Sequence, residues 1–259
     1  SSTGYCKSGS NPTPTITGTT GGTFSSTAGL SINTSTGEIN IAASTAGTYT
    51  VSYLTSSNLC AVTGTFDVTI TDDEDGTFTY ASAEYCVSGS DPTPTISGTT
   101  GGTFSSTAGL SINASTGEID LSASTAGTYT VSYLTSGNTC AVTGTFDVTI
   151  TEDEDGTFTY ASTEYCKSGS NPTPTITGTT GGTFSSTAGL SINTSTGEIN
   201  IAASTAGTYT VSYVTSSNLC AVTGTFDVTI TDDEDGTFTY ASAEYCVSGS
   251  DPTPTISGT

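Results

Sequence analysis

The feature that most constrains this chain is an internal repeat, because residues 81–160 and residues 161–240 both nearly duplicate residues 1–80. Residues 81–160 differ from residues 1–80 at 13 positions, whereas residues 161–240 differ from residues 1–80 at only three. Residues 241–259 are identical to residues 81–99, so two versions of the repeat alternate as A-B-A-B. Self-similarity at a fixed spacing indicates a linear array in which each unit mainly contacts its neighbours.

The local pattern within each repeat predicts β-strands. Residues 127–133 place Tyr, Val and Tyr on one face and Thr, Thr and Ser on the other, and residues 146–151 alternate in the same way. Alternation with a period of two is typical of strands with one face on a core and the other in water. Shorter strands are predicted around Ile96, Phe104, 110–112, 119–121 and 158–160. We therefore predict an all-β fold with one small antiparallel β-sandwich per repeat.

Three acidic runs divide the array, and together they hold 12 of its 24 acidic residues. They consist of Asp72, Asp73, Glu74 and Asp75; Glu152, Asp153, Glu154 and Asp155; and Asp232, Asp233, Glu234 and Asp235. Taking them as joints predicts a repeat at 1–71 (first strand truncated), a joint at 72–76, a repeat at 77–151, a joint at 152–156, a repeat at 157–231, a joint at 232–236 and a partial repeat at 237–259. Mutual repulsion favours an extended, solvated joint, whereas Ca²⁺ bound by these hard oxygens would stiffen it. Both interpretations fit the sequence.

Seven cysteines predict one disulfide per repeat and an oxidising compartment. Two pairings preserve the period. The first joins Cys6–Cys60, Cys86–Cys140 and Cys166–Cys220. The second joins Cys60–Cys86, Cys140–Cys166 and Cys220–Cys246. The first is preferred because it closes a longer loop, and cross-linking a longer loop removes more entropy from the unfolded chain.

Composition excludes several classes of function. The net charge is -22, histidine is absent, and Lys7 and Lys167 are the only cationic side chains. Nucleic-acid binding depends on clustered Lys and Arg, so this partner is not expected. No apolar run reaches the roughly 20 residues that a membrane-spanning helix needs, so no membrane insertion of this segment is expected. Ser and Thr have no histidine to activate them, and the lysine is missing from the B repeats, so we expect no enzymatic activity.

The repeat resembles modules of bacterial surface proteins. Residues 109–119 (GLSINASTGEI) followed by 126–133 (AGTYTVSY) resemble the immunoglobulin-like and cadherin-like repeats of bacterial adhesins. The pattern of the whole repeat is similar to tandem modules of very large Bacteroidota cell-surface proteins that the type IX system secretes. This resemblance implies immunoglobulin-like sandwiches in an extracellular or cell-surface location. In cadherin-like repeats an acid often follows the joint glycine, but here Thr77 follows Gly76.

Two functions follow from these observations. The first is a structural region of an extracellular fibre or adhesin stalk, in which neighbouring repeats are the partners and chains self-associate into fibres. The second is a multivalent glycan- or protein-binding array that acts by avidity through residues such as Tyr85, Tyr133 and Asn138. The positions that differ between the A and B repeats discriminate between the two functions. A concave cluster of these positions favours binding, and a scattered set favours the scaffold.

Overall fold

The structure is a computed structural model that describes residues 3–56, 59–137, 140–215 and 219–257. All regular secondary structure in these ranges is β, which confirms the predicted fold class. The chain divides into two compact units, residues 1–151 and residues 152–259.

The described residues of the first unit form twelve strands. They are β1 (Thr3–Cys6), β2 (Thr23–Ser26), β3 (Gly47–Leu54), β4 (Thr63–Thr71), β5 (Phe78–Thr79), β6 (Glu84–Cys86), β7 (Thr95–Ile96), β8 (Thr103–Ser106), β9 (Ser111–Ile112), β10 (Ile119–Asp120), β11 (Gly127–Leu134) and β12 (Thr143–Thr151). They form two four-stranded sheets with the same order, β1-β4-β3-β2 and β6-β12-β11-β8. Two short pairs, β5-β7 and β9-β10, complete the second repeat.

The second unit repeats this arrangement. Its strands are β13 (Phe158–Thr159), β14 (Glu164–Cys166), β15 (Thr175–Ile176), β16 (Thr183–Ser186), β17 (Gly207–Val214), β18 (Thr223–Thr231), β19 (Phe238–Thr239) and β20 (Thr255–Ile256). The four-stranded sheet has the order β14-β18-β17-β16, and the short pairs are β13-β15 and β19-β20.

One edge of each four-stranded sheet differs from the antiparallel prediction. β1 pairs with β4, β6 with β12, and β14 with β18, and all three pairs are parallel. The physical reason is the array itself. A chain that enters a repeat at one end and leaves it at the other runs its first and last strands in the same direction.

The core of the second repeat lies beneath the longest hairpin. Tyr129, Val131 and Tyr133 of β11 are all buried, so the predicted face of this strand is the core face. The same cluster contains Phe78 and Tyr80, which follow the acidic run and precede the four-stranded sheet. The third repeat has an equivalent cluster.

Polar groups within the core are paired. The Tyr133 hydroxyl accepts a hydrogen bond from the Gly102 N–H and donates one to the Thr99 carbonyl, both at 2.8 Å. The Tyr129 hydroxyl donates to the Thr125 carbonyl at 2.7 Å, which is the bond back to the upstream backbone that defines a tyrosine corner.

Replacing Tyr133 with Phe should destabilise the second repeat by about 1–3 kcal/mol, because it leaves the Gly102 N–H and the Thr99 carbonyl without a partner. A urea titration of the full chain measures the loss. Tyr240→Phe, at an exposed position, is the control and should leave the unfolding midpoint unchanged. Equal midpoints for Tyr133→Phe and the wild type would contradict this role of the hydroxyl.

Candidate functional site: the disulfide-linked joint

The first acidic run is held against the second repeat and is not a free linker. The Glu74 N–H donates to the Cys140 carbonyl at 3.0 Å, and the Glu74 carboxylate accepts the Gly137 N–H at 2.8 Å. Both partners lie in the loop between β11 and β12. The backbones of Gly76 and Gly144 approach so closely that a Cβ on Gly144 would lie 1.9 Å from the Gly76 carbonyl oxygen. The predicted extended, solvated joint is therefore an ordered contact between consecutive repeats.

The last acid of the run fixes the entry into the second repeat. The Asp75 carbonyl accepts the Thr99 N–H at 2.7 Å, and the Asp75 N–H donates to the Thr99 hydroxyl at 3.1 Å. The Asp75 carboxylate accepts bonds from the hydroxyl and the N–H of Thr77. These two bonds, the hydroxyl first, hold the pKa of Asp75 below its ordinary value. The corresponding bonds from Thr157 lower the pKa of Asp155.

The first two acids of the run bind back to the first repeat. The Lys7 ammonium lies 3.6 Å from the Asp72 carboxylate, and the Ser8 hydroxyl donates to the Asp73 carboxylate at 2.8 Å. The third repeat has the same ion pair, Lys167 with Asp232 at 3.2 Å. Both described A repeats therefore place a cation beside the first acid of the run. Exposed pairs of this kind contribute only about 0–1 kcal/mol, so the ion pair does not by itself hold the joint.

A disulfide between Cys6 and Cys140 joins the first repeat to the second across this joint. The two Cα atoms are 5.3 Å apart, and the cysteines are separated by 134 residues in sequence. The predictions Cys6–Cys60, Cys86–Cys140 and Cys140–Cys166 are therefore wrong. Cys60, Cys166 and Cys246 carry exposed thiols, which also contradicts Cys166–Cys220, Cys60–Cys86 and Cys220–Cys246.

Strand geometry explains why the preferred pairing fails. Cys6 is the register partner of Thr71, at the end of β4, whereas Cys60 precedes the start of the same strand at Thr63. Eight steps of about 3.3 Å separate the two ends by roughly 26 Å. A disulfide requires Cα atoms within about 7 Å. The loop that carries the second cysteine therefore reaches the preceding repeat instead of its own first strand.

Sulfur and carboxylate ligand atoms of Cys6, Asp73 and Cys140 lie within 4.8 Å of one another. The two sulfurs are bonded to each other, so neither is available as a thiolate ligand for zinc. The acids Asp72, Asp73, Glu74 and Asp75 instead engage four separate protein partners. Calcium binding at these runs is one of the two interpretations of the sequence and is tested as follows.

Calcium-dependent stiffening is tested by melting the full chain in a chelator and in excess Ca²⁺. The protein partners of the joint carboxylates would have to be displaced by an ion, so we expect equal melting temperatures. A higher melting temperature in Ca²⁺ that the chelator reverses would establish the calcium interpretation instead.

Tyr80 anchors the chain just beyond the joint. Its side chain is 5% exposed, and its hydroxyl donates to the Gly117 carbonyl. Burial, and secondarily the neighbouring Tyr85, raises the pKa of Tyr80 well above its ordinary value of 10.0. Gly117 has a φ of +72°, a conformation that favours glycine.

The raised pKa of Tyr80 predicts alkaline destabilisation. The unfolded chain ionises this phenol near its ordinary pKa, while the folded chain keeps it neutral, so the stabilising contribution is complete below pH 10 and falls as the pH rises above it. Tyr80→Phe removes this ionisation. The melting temperature of the variant should therefore fall less between pH 8 and pH 11 than that of the wild type. Thiols are alkylated beforehand, and Tyr240→Phe is the control. An identical pH dependence for wild type and Tyr80→Phe would refute the assignment.

The residues suggested for ligand binding do not form a common exposed surface. Tyr133 is fully buried and uses its hydroxyl within the core. Tyr85 is half-buried, and its hydroxyl accepts the Ser82 N–H at 3.0 Å. Asn138 lies outside the described residues.

Comparisons with known proteins give weak structural likeness only. No family model and no curated protein matches this chain. A mouse cadherin-23 fragment is 12% identical with a TM-score of 0.31, covering 90% of this chain and 96% of that one. Human desmocollin-1 is 12% identical with a TM-score of 0.29, covering 99% and 65%. A SusE-like surface-located polysaccharide-binding protein from Bacteroides thetaiotaomicron is 14% identical with a TM-score of 0.27, covering 92% and 73%. Scores this low establish no shared function.

Across the ranges that the structure describes, no helix is long and apolar enough to cross a membrane.

The Cys6–Cys140 bond makes a specific prediction for proteolysis. Trypsin cuts this chain only after Lys7 and Lys167, so complete digestion in urea with blocked thiols produces the heptapeptide 1–7. The heptapeptide should remain attached to residues 8–167 until a reductant is added. Cys140→Ser should release it without reductant, whereas Cys60→Ser should not, as measured by mass spectrometry. Release from Cys60→Ser alone would instead establish the pairing within one repeat.

Proposed function

We propose that this chain is the structural repeat region of an extracellular fibre or adhesin stalk that extends from a bacterial surface. The observation that carries the proposal is the disulfide from Cys6 to Cys140, which crosses the joint between consecutive repeats. A covalent bond at this place resists separation of neighbouring repeats under tension. A disulfide within one repeat would protect only that repeat.

The regular period extends this argument to the array. It places Cys86 and Cys220 at positions equivalent to Cys6 and Cys140, and both are disulfide-bonded. We propose that, in a longer array, each cysteine equivalent to Cys6 is bonded to the cysteine 134 residues downstream, as Cys6 is to Cys140. Each such loop is longer than one repeat, so successive loops overlap. Every peptide bond between the first and last linked cysteines then lies within at least one loop, so one backbone cut would not sever the fibre.

The differences between A and B repeats support a scaffold. Asn11 accepts the Ile41 N–H at 3.0 Å, and Asp91 accepts the Leu121 N–H at 2.9 Å in the same way. Ile41 and Leu121 are both fully buried core residues. These exchanges preserve an internal bond and a core position. They do not create a distinct exposed face in either version of the repeat.

Another A/B difference lies at the joint. Lys7 forms its ion pair beside the first joint, and the period places Val87 at the same position of the B repeat. Val87 packs against the core of the second repeat. These exchanges, at the joint and in the interior, are of the kind expected of a scaffold.

Charge also suits an exposed fibre. A net charge of -22 with two lysines maintains solubility and opposes lateral clumping of long arrays. Disulfides persist in oxidising, extracellular environments. Together these properties favour a location outside the cell.

Single-molecule stretching of the chain from its two ends tests the mechanical role. The fully extended length of the oxidised chain should be at least about 450 Å shorter than that of the reduced chain. The disulfide shields a loop of 134 residues from the load, and each residue would otherwise add about 3.4 Å. Antibodies raised against the chain should also label material projecting from intact cells of the source organism. Equal extensions in both redox states, or purely intracellular labelling, would reject the stalk.

A further inference from the structure

The Cys6–Cys140 disulfide lies beside charged side chains of the joint. A carboxylate oxygen of Asp73 lies within 4.8 Å of both sulfurs. Lys7 follows Cys6 directly, and its ammonium lies 3.6 Å from the carboxylate of Asp72, the residue before Asp73. One cation and two anions therefore lie close to a bond that small thiols open as anions, because thiol–disulfide exchange proceeds by attack of a thiolate.

The two sulfurs of this bond are not equally open to attack. Cys140 is 7% exposed, and its sulfur lies 4.0 Å from the carbonyl oxygen of Thr71. Cys6 is only half-buried. An incoming thiolate therefore reaches the Cys6 sulfur, and Cys140 is the leaving group. Once protonated, the released Cys140 thiol can donate to the Thr71 carbonyl beside it.

The cation beside this bond is the charge that distinguishes the A repeats from the B repeats. In the B repeat the position of Lys7 is taken by Val87, which directly follows Cys86, another disulfide-bonded cysteine. Val87 packs against the core of the second repeat and carries no charge. The acids are kept, since the run that follows this repeat also begins with two carboxylates, Glu152 and Asp153. A thiolate that attacks the disulfide of Cys86 therefore meets one positive charge fewer.

We propose that the Cys6–Cys140 bond is a site of exchange with small anionic thiols, and that Lys7 makes it more reactive toward them than the disulfide of Cys86. The thiolate sulfur of the reagent bonds to Sγ of Cys6 while the bond between the two cysteine sulfurs breaks. The electron pair of that bond leaves with Sγ of Cys140, which takes a proton from water. A second thiolate then attacks the mixed disulfide, which releases the Cys6 thiolate and the oxidised disulfide of the reagent.

The alternation of the repeats gives this site a spacing. Lysine stands at positions 7 and 167 and valine at positions 87 and 247, so the lysine version recurs once in every 160 residues. In a longer array, anionic thiols therefore open alternate joints first. The joints that remain closed hold the repeats together in pairs.

Exchange kinetics of the full chain with two thiols of opposite charge test the proposal. The exposed thiols of Cys60, Cys166 and Cys246 are first alkylated. The chain is then treated at one pH with mercaptoethanesulfonate, whose thiolate is a dianion, or with cysteamine, whose thiolate carries an ammonium group. The ionic strength is about 0.01 M, where charges act over about 30 Å. Released thiols are labelled with a second alkylating reagent, and cleavage after acidic residues separates the cysteines for mass spectrometry.

The quantity compared is the rate with the anionic thiol divided by the rate with the cationic thiol, because this ratio cancels differences in burial between the two disulfides. In the wild type the ratio should be roughly two- to fourfold higher at Cys6 than at Cys86, as expected for one charge about 10 Å away in water. Lys7→Gln should lower the ratio at Cys6 to the value at Cys86. The first adduct should form on Cys6, with the new thiol on Cys140.

Lys167→Gln is the matched control, because Lys167 forms the same ion pair, 3.2 Å from Asp232, but follows the alkylated Cys166. This variant should leave the ratio at Cys6 unchanged. Asp73→Asn removes the negative charge nearest the two sulfurs, so it should raise the ratio at Cys6.

Equal ratios at Cys6 and Cys86 in the wild type overturn the proposal, and so does a ratio at Cys6 that Lys7→Gln leaves unchanged. In about 1 M salt, where charges act over about 3 Å, the difference between the two disulfides should vanish. A difference that persists there overturns the role of charge and assigns the selectivity to the shape of the joint. These rates do not depend on the stalk proposal, which surface labelling and stretching test separately.

Discussion

The second and third repeats depend on aromatic side chains from the short strand that precedes the main sheet. Phe78 and Tyr80 lie in the core of the second repeat, although they follow directly on the joint from the first. A domain of roughly 75 residues buries only about 60% of its unfolded surface, so it has few apolar groups to spare. Two aromatic rings of this small core lie beside the joint. The joint and the core are therefore ordered together.

The joint is consequently ordered despite its charge. Four adjacent acids repel one another, yet Glu74 and Asp75 bind backbone groups of the second repeat, while Asp72 and Asp73 bind side chains of the first. The Cys6–Cys140 bond closes the same contact covalently. Polar bonds give the joint its geometry, and the disulfide keeps the two repeats together when those bonds break.

These features give the array a directional end-to-end chemistry. The strand after the first joint inserts into the core of the second repeat, and the second repeat contributes the Cys140 loop to the first. Length can then come from repetition within the chain.

The sequence by itself determined the period, the all-β class and the core face of β11, because alternation and turn glycines act between residues close along the chain. Only the tertiary structure decided the parallel edge strands and the partner of Cys6. In a periodic chain every cysteine has equivalent candidates at several regular spacings, so spacing cannot select among them. The selection comes from the length of β4, because Cys6 pairs with the end of this strand while Cys60 precedes its start, and the loop of the next repeat is within reach of Cys6.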